Sequence, residues 1–488
     1  MSSPATTTQR HTPDWLILSI ACVAQFMVVL DVSIVNVALP HMGHDLGMNQ
    51  TKSQWVINAY VLTFAGFLLL GGRAADLFGR RKVYLLGIAV FTFASIGAGF
   101  AHNGTQMIVA RAVQGLGGAI LSPATLTIII TTFQGPRLPK AIGAWSAVAG
   151  AGGAFGGLAG GLLTGLASWR WVFFVNVPFG VAAAIVAGMY LQERRNQDAT
   201  VKLDITGALL VTGGLTALIY GVVNTTTAGW TSSSSLSWFI ASAALLIGFI
   251  FWEAQVASHP LVPFRIFRSR PLTIANIVMA LAGGAFFAMW FFLTYYFQNT
   301  LGYGAVRAGF AFLPMAIGII VGAQLSSRLL VKVGVRPLLL VGSALATLGF
   351  FWLTLITTTS TYWADIFPPA FLCSFAMGLL FAPLATAATA KVDRADAGLA
   401  SGVLNTARQV GGSLSLAVLG TLAFDRTASF GPITKISQVA GYTRAFEISA
   451  FITLAAFLVS LALPAKVGHH SSHAPIVNPT TAPAGTGH

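Results

Sequence analysis

Runs of about 20 apolar residues, separated by short loops that hold nearly all of the charge, recur along the whole of this 488-residue chain. A helix of that length matches the hydrocarbon thickness of a bilayer. Inside that layer no water can satisfy an open backbone, so helices are the economical solution. Only 8% of the residues are charged, where a soluble globular chain carries about 25%. The chain therefore reads as an all-α integral membrane protein. Its net charge of +14 sits in loops between apolar runs, which points to an anionic leaflet rather than nucleic acid as the counter-charge. Cys22 and Cys373 both lie in apolar runs and imply neither a disulfide framework nor a metal site.

Fourteen runs qualify as spans, at about 14–38, 54–72, 82–101, 106–133, 139–165, 171–191, 204–224, 236–256, 271–297, 306–327, 337–357, 363–388, 397–423 and 444–464. The first follows a hydrophilic start, lacks a small-residue cleavage site and contains Asp31, so it reads as a retained span rather than a signal peptide. An even number of spans puts both termini on one side. With the termini inside, about nineteen Lys and Arg fall in cytoplasmic loops and about six in outer loops, a bias that fixes orientation by the positive-inside rule. Both termini are expected in the cytoplasm and the chain in the plasma membrane. Residues 1–13 read as a cytoplasmic tail, and 466–488, rich in His, Pro, Thr and Gly, as a disordered cytoplasmic extension.

Between spans 2 and 3 lies Gly72-Arg73-Ala74-Ala75-Asp76-Leu77-Phe78-Gly79-Arg80-Arg81-Lys82. It reads as a short charged loop. Glycine suits a tight turn or close backbone approach, and three consecutive cations pin the loop to the cytoplasmic face. Asp76, just ahead of the next helix, can neutralise cations or face a positive helix end. The pattern resembles the loop between helices 2 and 3 of major facilitator superfamily transporters. That resemblance implies a cytoplasmic gate of Gly72, Asp76, Gly79, Arg80 and Arg81, with Asp76 reaching the start of span 11, where Arg336 is the expected partner. A weaker copy, Ser327 to Arg336, follows span 10: Gly334 matches Gly79, Arg336 matches Arg81, and Val331 replaces the acid. The expected organisation is the major facilitator fold: a six-helix bundle over 14–195, inserted helices 7 and 8 over 196–262, and a second six-helix bundle over 263–465.

Span 1 holds Asp31 within Leu30 to Pro40. An acid there costs about 2.5–3.5 kcal/mol on insertion scales, so it normally faces a cavity and marks an ion path. Desolvation favours the neutral acid, which lets the group load and release a proton as its exposure changes. The alternative is a structural acid bonded to a neighbouring helix. The segment resembles the first-helix motif of the fourteen-helix drug:proton antiporters (EmrB/QacA type). The likeness extends through Ser53 to Tyr60 at span 2 and Trp169 to Gly180 at span 6.

Span 4 carries Arg111 and Gln114, three apart and so on one helix face. The resemblance links Arg111 to proton transfer with Asp31; snorkelling toward a leaflet is the alternative. Asn36, Trp55, Asn58, Gln114, Asn405 and Gln409 are the candidate lining of a substrate cavity, although Asn405 and Gln409 equally suit a bridge between helices. In span 5, Gly152, Gly156 and Gly160 form one small-residue row and Gly153, Gly157 and Gly161 another, and such rows let helices approach closely. The family's antiporter motif lies here and usually has proline where this chain has Gly157, so no lost backbone bond forces a kink.

The resemblance implies proton-coupled export of drugs or secondary metabolites by alternating access, by a probable monomer with no cofactor. Uptake of a solute with a proton on the same scaffold is the second reading. A membrane-embedded enzyme is the third. Against it, the sequence lacks a His-Glu-x-x-His cluster, a Gly-x-Ser-x-Gly elbow and a Gly-Lys P-loop pair, so the energy must come from an ion gradient. Members of the resembled family that recognise divalent cations carry a further buried acid in the second half; no acid lies deep in spans 9–13 here, so the resemblance implies neutral, zwitterionic or singly charged substrates.

Overall fold

The computed structural model describes residues 13–134, 137–191, 203–390, 392 and 397–464. The two terminal tails read above, 1–12 and 465–488, lie outside the described residues, as do the loop cations Arg194, Arg195, Lys202, Lys391 and Arg394.

All fourteen expected spans are helices. They are α1 (Asp14–Asp45), α2 (Gln50–Phe78), α3 (Arg80–Gly99), α4 (Gly104–Thr132), α5 (Arg137–Leu166), α6 (Trp171–Tyr190), α7 (Ile205–Ala228) and α8 (Ser233–Val256). After a short 3-10 turn at Phe264–Arg268 come α9 (Arg270–Thr300), α10 (Ala305–Val333), α11 (Val335–Leu353), α12 (Tyr362–Thr389), α13 (Ala397–Ala428) and α14 (Lys435–Leu461). Twelve are long and apolar enough to cross a bilayer by those measures alone. The α13 helix is diluted by polar side chains such as Arg408 and Gln409, and α5 includes positions whose side chains lie outside the described residues.

Two helices run further than hydropathy indicates. The α14 helix starts at Lys435 because Thr434 closes a capping box with Ser437 ahead of a polar first turn. The α2 helix runs through Gly72-Arg73-Ala74-Ala75-Asp76 to Phe78, which corrects the reading of this stretch as a loop. The link to α3 is the single residue Gly79, at φ 92°. Only there does the backbone demand glycine; a Cβ on Gly72 would meet Pro123 at an ordinary 3.7 Å. Gly334, at φ 82°, joins α10 to α11 in the same way. The weak sequence repeat is thus a repeat of backbone conformation.

Helices α1–α6 pack chiefly on one another, with α4 central between α2, α3 and α1, and α5 laid along α1. Helices α9–α14 form the second bundle, with α9 against α13 and α14, and α12 against α10 and α11. The inserted α7 and α8 pair together, and α7 leans on α2 and α13. Its docking is close: a Cβ on Gly66 would overlap Thr212, and Thr421 bonds to the Val222 carbonyl at 3.3 Å. The α8 helix is the least buried of the spans, as befits an outermost, lipid-facing element.

The bundles meet along two seams, α2 on α13 and α5 on α10. The first runs from Leu69 opposite Gly402 to Gln54 opposite Gly420. In the second, the Gly157, Gly161 and Gly165 contacts fall in the halves of both helices remote from the chain termini. At that same end Gln298 of α9 donates from Nε2 to the Val37 carbonyl of α1 at 2.8 Å.

Candidate functional site

Four helices of the first bundle converge on Asp31. Its carboxylate is fully buried and forms an ion pair with Nη1 of Arg111 on α4. The other oxygen, Oδ1, accepts from Nε2 of Gln114 at 2.7 Å and from Nδ2 of Asn176 on α6 at 3.1 Å. Gln114 also donates to Ser95 Oγ on α3 at 2.7 Å, and its Oε1 accepts from Arg111 at 2.6 Å. Nε of Arg111 donates to the Val56 carbonyl at 3.1 Å, and the guanidinium carbon stands 4.3 Å from the centroid of the Tyr60 ring. Every polar partner is therefore itself bonded, as a charged pair in a low-dielectric interior requires. Removing one member of such a pair costs about 3–5 kcal/mol, because the other is left buried and uncompensated.

The shared helix face of Arg111 and Gln114 was legible from their spacing. Asn176 and Ser95 were not assigned to the site. Each had a signal: a lone amide beside Pro178 in a run of aromatics, and a serine inside an apolar span.

The gate residues behave as staples. Arg80 bonds to Thr131 Oγ1 at the end of α4, and Arg81 to the Gly188 carbonyl near the end of α6. The side chain of Asp76 lies outside the described residues. Arg336 keeps its Nε buried without a hydrogen-bond partner among them.

The two glycine rows of α5 face different neighbours. Gly156 and Gly160 lie against α1, where a Cβ would strike Ser33 or come within 2.5 Å of the Ile34 carbonyl. Gly152 is on the same face, 3.1 Å from the Phe26 carbonyl. Gly157 and Gly161 face α10: a Cβ on Gly161 would sit 2.5 Å from the Ala305 carbonyl, and one on Gly309 2.6 Å from that of Gly157. Gly153 has room, with Val29 at 3.8 Å, and its carbonyl accepts from Ser33.

The expected cavity residues do not share one surface. Gln114 belongs to the Asp31 cluster. Trp55 instead stacks its flank on Tyr220 of α7, ring centroids 6.0 Å apart, because the inserted pair docks on that face of α2. Asn36 folds its amide back to the Val32 carbonyl at 3.0 Å. Asn58 is fully buried with neither side-chain polar atom bonded. Asn405 accepts from Nη2 of Arg408 at 2.8 Å, one turn along α13, and Gln409 is buried beside it. An apolar groove of about 860 Å³ between α3 and α4 is edged by exposed Phe93 and Val109, and a smaller one of about 270 Å³ lies between α2 and α3 near Gly71. Neither groove is lined by Asp31 or Arg111.

Comparison with known proteins agrees with this architecture. The Major Facilitator Superfamily model matches residues 21–416. The chain is 41% identical over 449 residues to the cephamycin export protein CmcT of Amycolatopsis lactamdurans, covering 91% of this chain and 90% of that one. It is 38% identical to the puromycin resistance protein pur8 of Streptomyces alboniger, covering 90% and 89%. It is 33% identical to the tetracenomycin C resistance and export protein of Streptomyces glaucescens, covering 86% and 79%. Among solved structures, the peptide transporter POT in complex with sulfate superposes with a TM-score of 0.64 at 14% identity, covering 96% of this chain and 97% of that one. Fourteen helices in two bundles with an inserted pair, the glycine-hinged repeat and a family match across most of its length identify the chain as a member of the major facilitator superfamily.

Proposed function

We propose that the chain exports hydrophobic small molecules, antibiotics or other secondary metabolites among them, in exchange for protons. The observation that carries this reading is the buried Asp31–Arg111 pair, a titratable carboxylate held inside a membrane-spanning bundle. Relatives whose names record export of or resistance to cephamycin, puromycin and tetracenomycin C support the direction and the cargo class.

The bundles, with boundaries near 195 and 263, rock about a site between them, and both termini lie in the cytoplasm. The glycine seam of α5 on α10 and the Gln298–Val37 bond support reading the described conformation as closed at the outer end. In it the Asp31 carboxylate is paired with the Arg111 guanidinium and accepts hydrogen bonds from Gln114 and Asn176. The outward-facing state exposes Asp31 to a proton. Protonation dissolves the ion pair and returns the bundles to the inward state, where the proton leaves and cargo enters. Gly72, Asp76, Gly79, Arg80, Arg81 and Arg336 close the cytoplasmic end in the opposite conformation. A proton moving down 100 mV supplies about 2.3 kcal/mol, which sustains roughly a fifty-fold gradient of a neutral substrate.

Proton-driven dye and antibiotic uptake into inverted vesicles tests this. Wild type should accumulate cargo under an imposed proton gradient, and Asp31→Asn should bind cargo without accumulating it. Undiminished uptake by Asp31→Asn would remove the carboxylate from coupling.

A further inference from the structure

Arg408 lies inside α13 without a carboxylate. Among the described residues its side chain donates to the neutral Oδ1 of Asn405. Its stem packs on α9, where a Cβ on Gly283 would come within 3.1 Å of Arg408 Cγ. That glycine leaves room for the arginine. Two turns nearer the terminal end of α9, Asn276 is buried at 7% exposure, with its Oδ1 unbonded among the described residues.

The side chain is half-buried. The α13 helix is flanked by α2, α7, α9, α12 and α14, and since α2 belongs to the first bundle, α13 lies on the seam between the bundles. A guanidinium stays protonated, and one taken from water requires an anion. Arg111 has its anion in Asp31; the second bundle supplies none to Arg408. The described acids of that bundle, Asp365, Asp425 and Glu447, stand near the helix ends remote from Arg408, with Glu447 paired to Arg444.

We propose that Arg408, steadied by Asn405, binds the carboxylate of an amphiphilic substrate, so that the transporter prefers organic anions or zwitterions to their neutral esters. The planar fork of the guanidinium matches a carboxylate in two parallel hydrogen bonds. The inference rests on the export reading for its purpose, but its binding step is independent of proton coupling.

The test uses two dyes that differ in one group: rhodamine B, with a free carboxylate, and its ethyl ester. Equilibrium binding to the purified full-length protein in nanodiscs of neutral phosphatidylcholine keeps lipid anions out of the measurement. Wild type should bind the acid at least ten-fold tighter than the ester. Arg408→Gln should abolish that preference by weakening the acid ten-fold or more while the ester shifts less than two-fold, and Arg408→Lys should restore part of it. Equal loss for both dyes in Arg408→Gln would make the residue structural and overturn the proposal. A wild type with no preference for the acid, including one that binds neither dye, would overturn it too. If the acid preference holds but inverted vesicles show no proton-driven uptake, the export reading fails and the carboxylate site stands.

Discussion

Arg111 and Arg408 sit one in each bundle, and the two bundles keep them in opposite ways. Arg111 is fully enclosed, paired with Asp31 and bonded to Gln114 and Val56. Arg408 is half-buried and, among the described residues, bonded to the amide oxygen of Asn405. One charge is already answered by the fold, and the other is left for something that arrives. In the mechanism proposed above, the proton belongs to the first bundle and the cargo's charge to the second.

The largest effect should separate the arginines directly. Arg111→Leu leaves the Asp31 carboxylate buried with amide donors alone and should cost about 3–5 kcal/mol. Arg408→Leu removes a cation that the fold does not neutralise and should change stability by less than about 1 kcal/mol. Thermal melting of both purified variants compares them; equal losses would break the contrast. The double variant Asp31→Asn with Arg111→Gln sharpens it. Removing both charges together should recover most of the lost stability, because no ion is left alone, while proton-driven uptake stays absent. A double variant as unstable as the singles would show that shape, not charge, holds the cluster.

Next in size is the seam. Gly161→Ala drives a Cβ to within 2.5 Å of the Ala305 carbonyl and should disfavour the described conformation by about 1–3 kcal/mol. Spin-label distances between the ends of α5 and α10 remote from the chain termini should lengthen; an unchanged distribution would discount the seam as the proposed outer closure. The smallest effect asks where the halves are alike. Gly79→Ala and Gly334→Ala each force a side chain into positive φ and should cost about 1–2 kcal/mol apiece, whereas Gly72→Ala should be near neutral. Unequal costs at the two hinges, read by thermal melting, would mean the repeat is one of letters only.

The span count was legible because charge is so scarce that every loop shows. Element ends were not: Lys435 to Arg444 is polar, and its helicity depends on the Thr434 cap and on packing that hydropathy does not measure. The Gly72 to Phe78 stretch looked like a loop because glycine and charge mark loops in general, yet here only Gly79 turns the chain. Asp31 and Arg111 could be named from the cost of burying charge, since a charge in a span needs a reason. Asn176 and Ser95 carry only the weaker signal of a polar group in an apolar run, and their roles appear when α6 packs on α1 and α3 on α4. Trp55 went astray because helical periodicity gives a face but not the neighbour that covers it, and the inserted α7 covers that one.

The meeting of Gly157 and Gly161 with Gly309 bears on fidelity. Main chain lies on main chain there, so no rotamer can flip aside to open a momentary pore. Water and stray ions cross that barrier only when whole helices separate, and an exchanger sealed in this manner dissipates little of its driving force between turnovers.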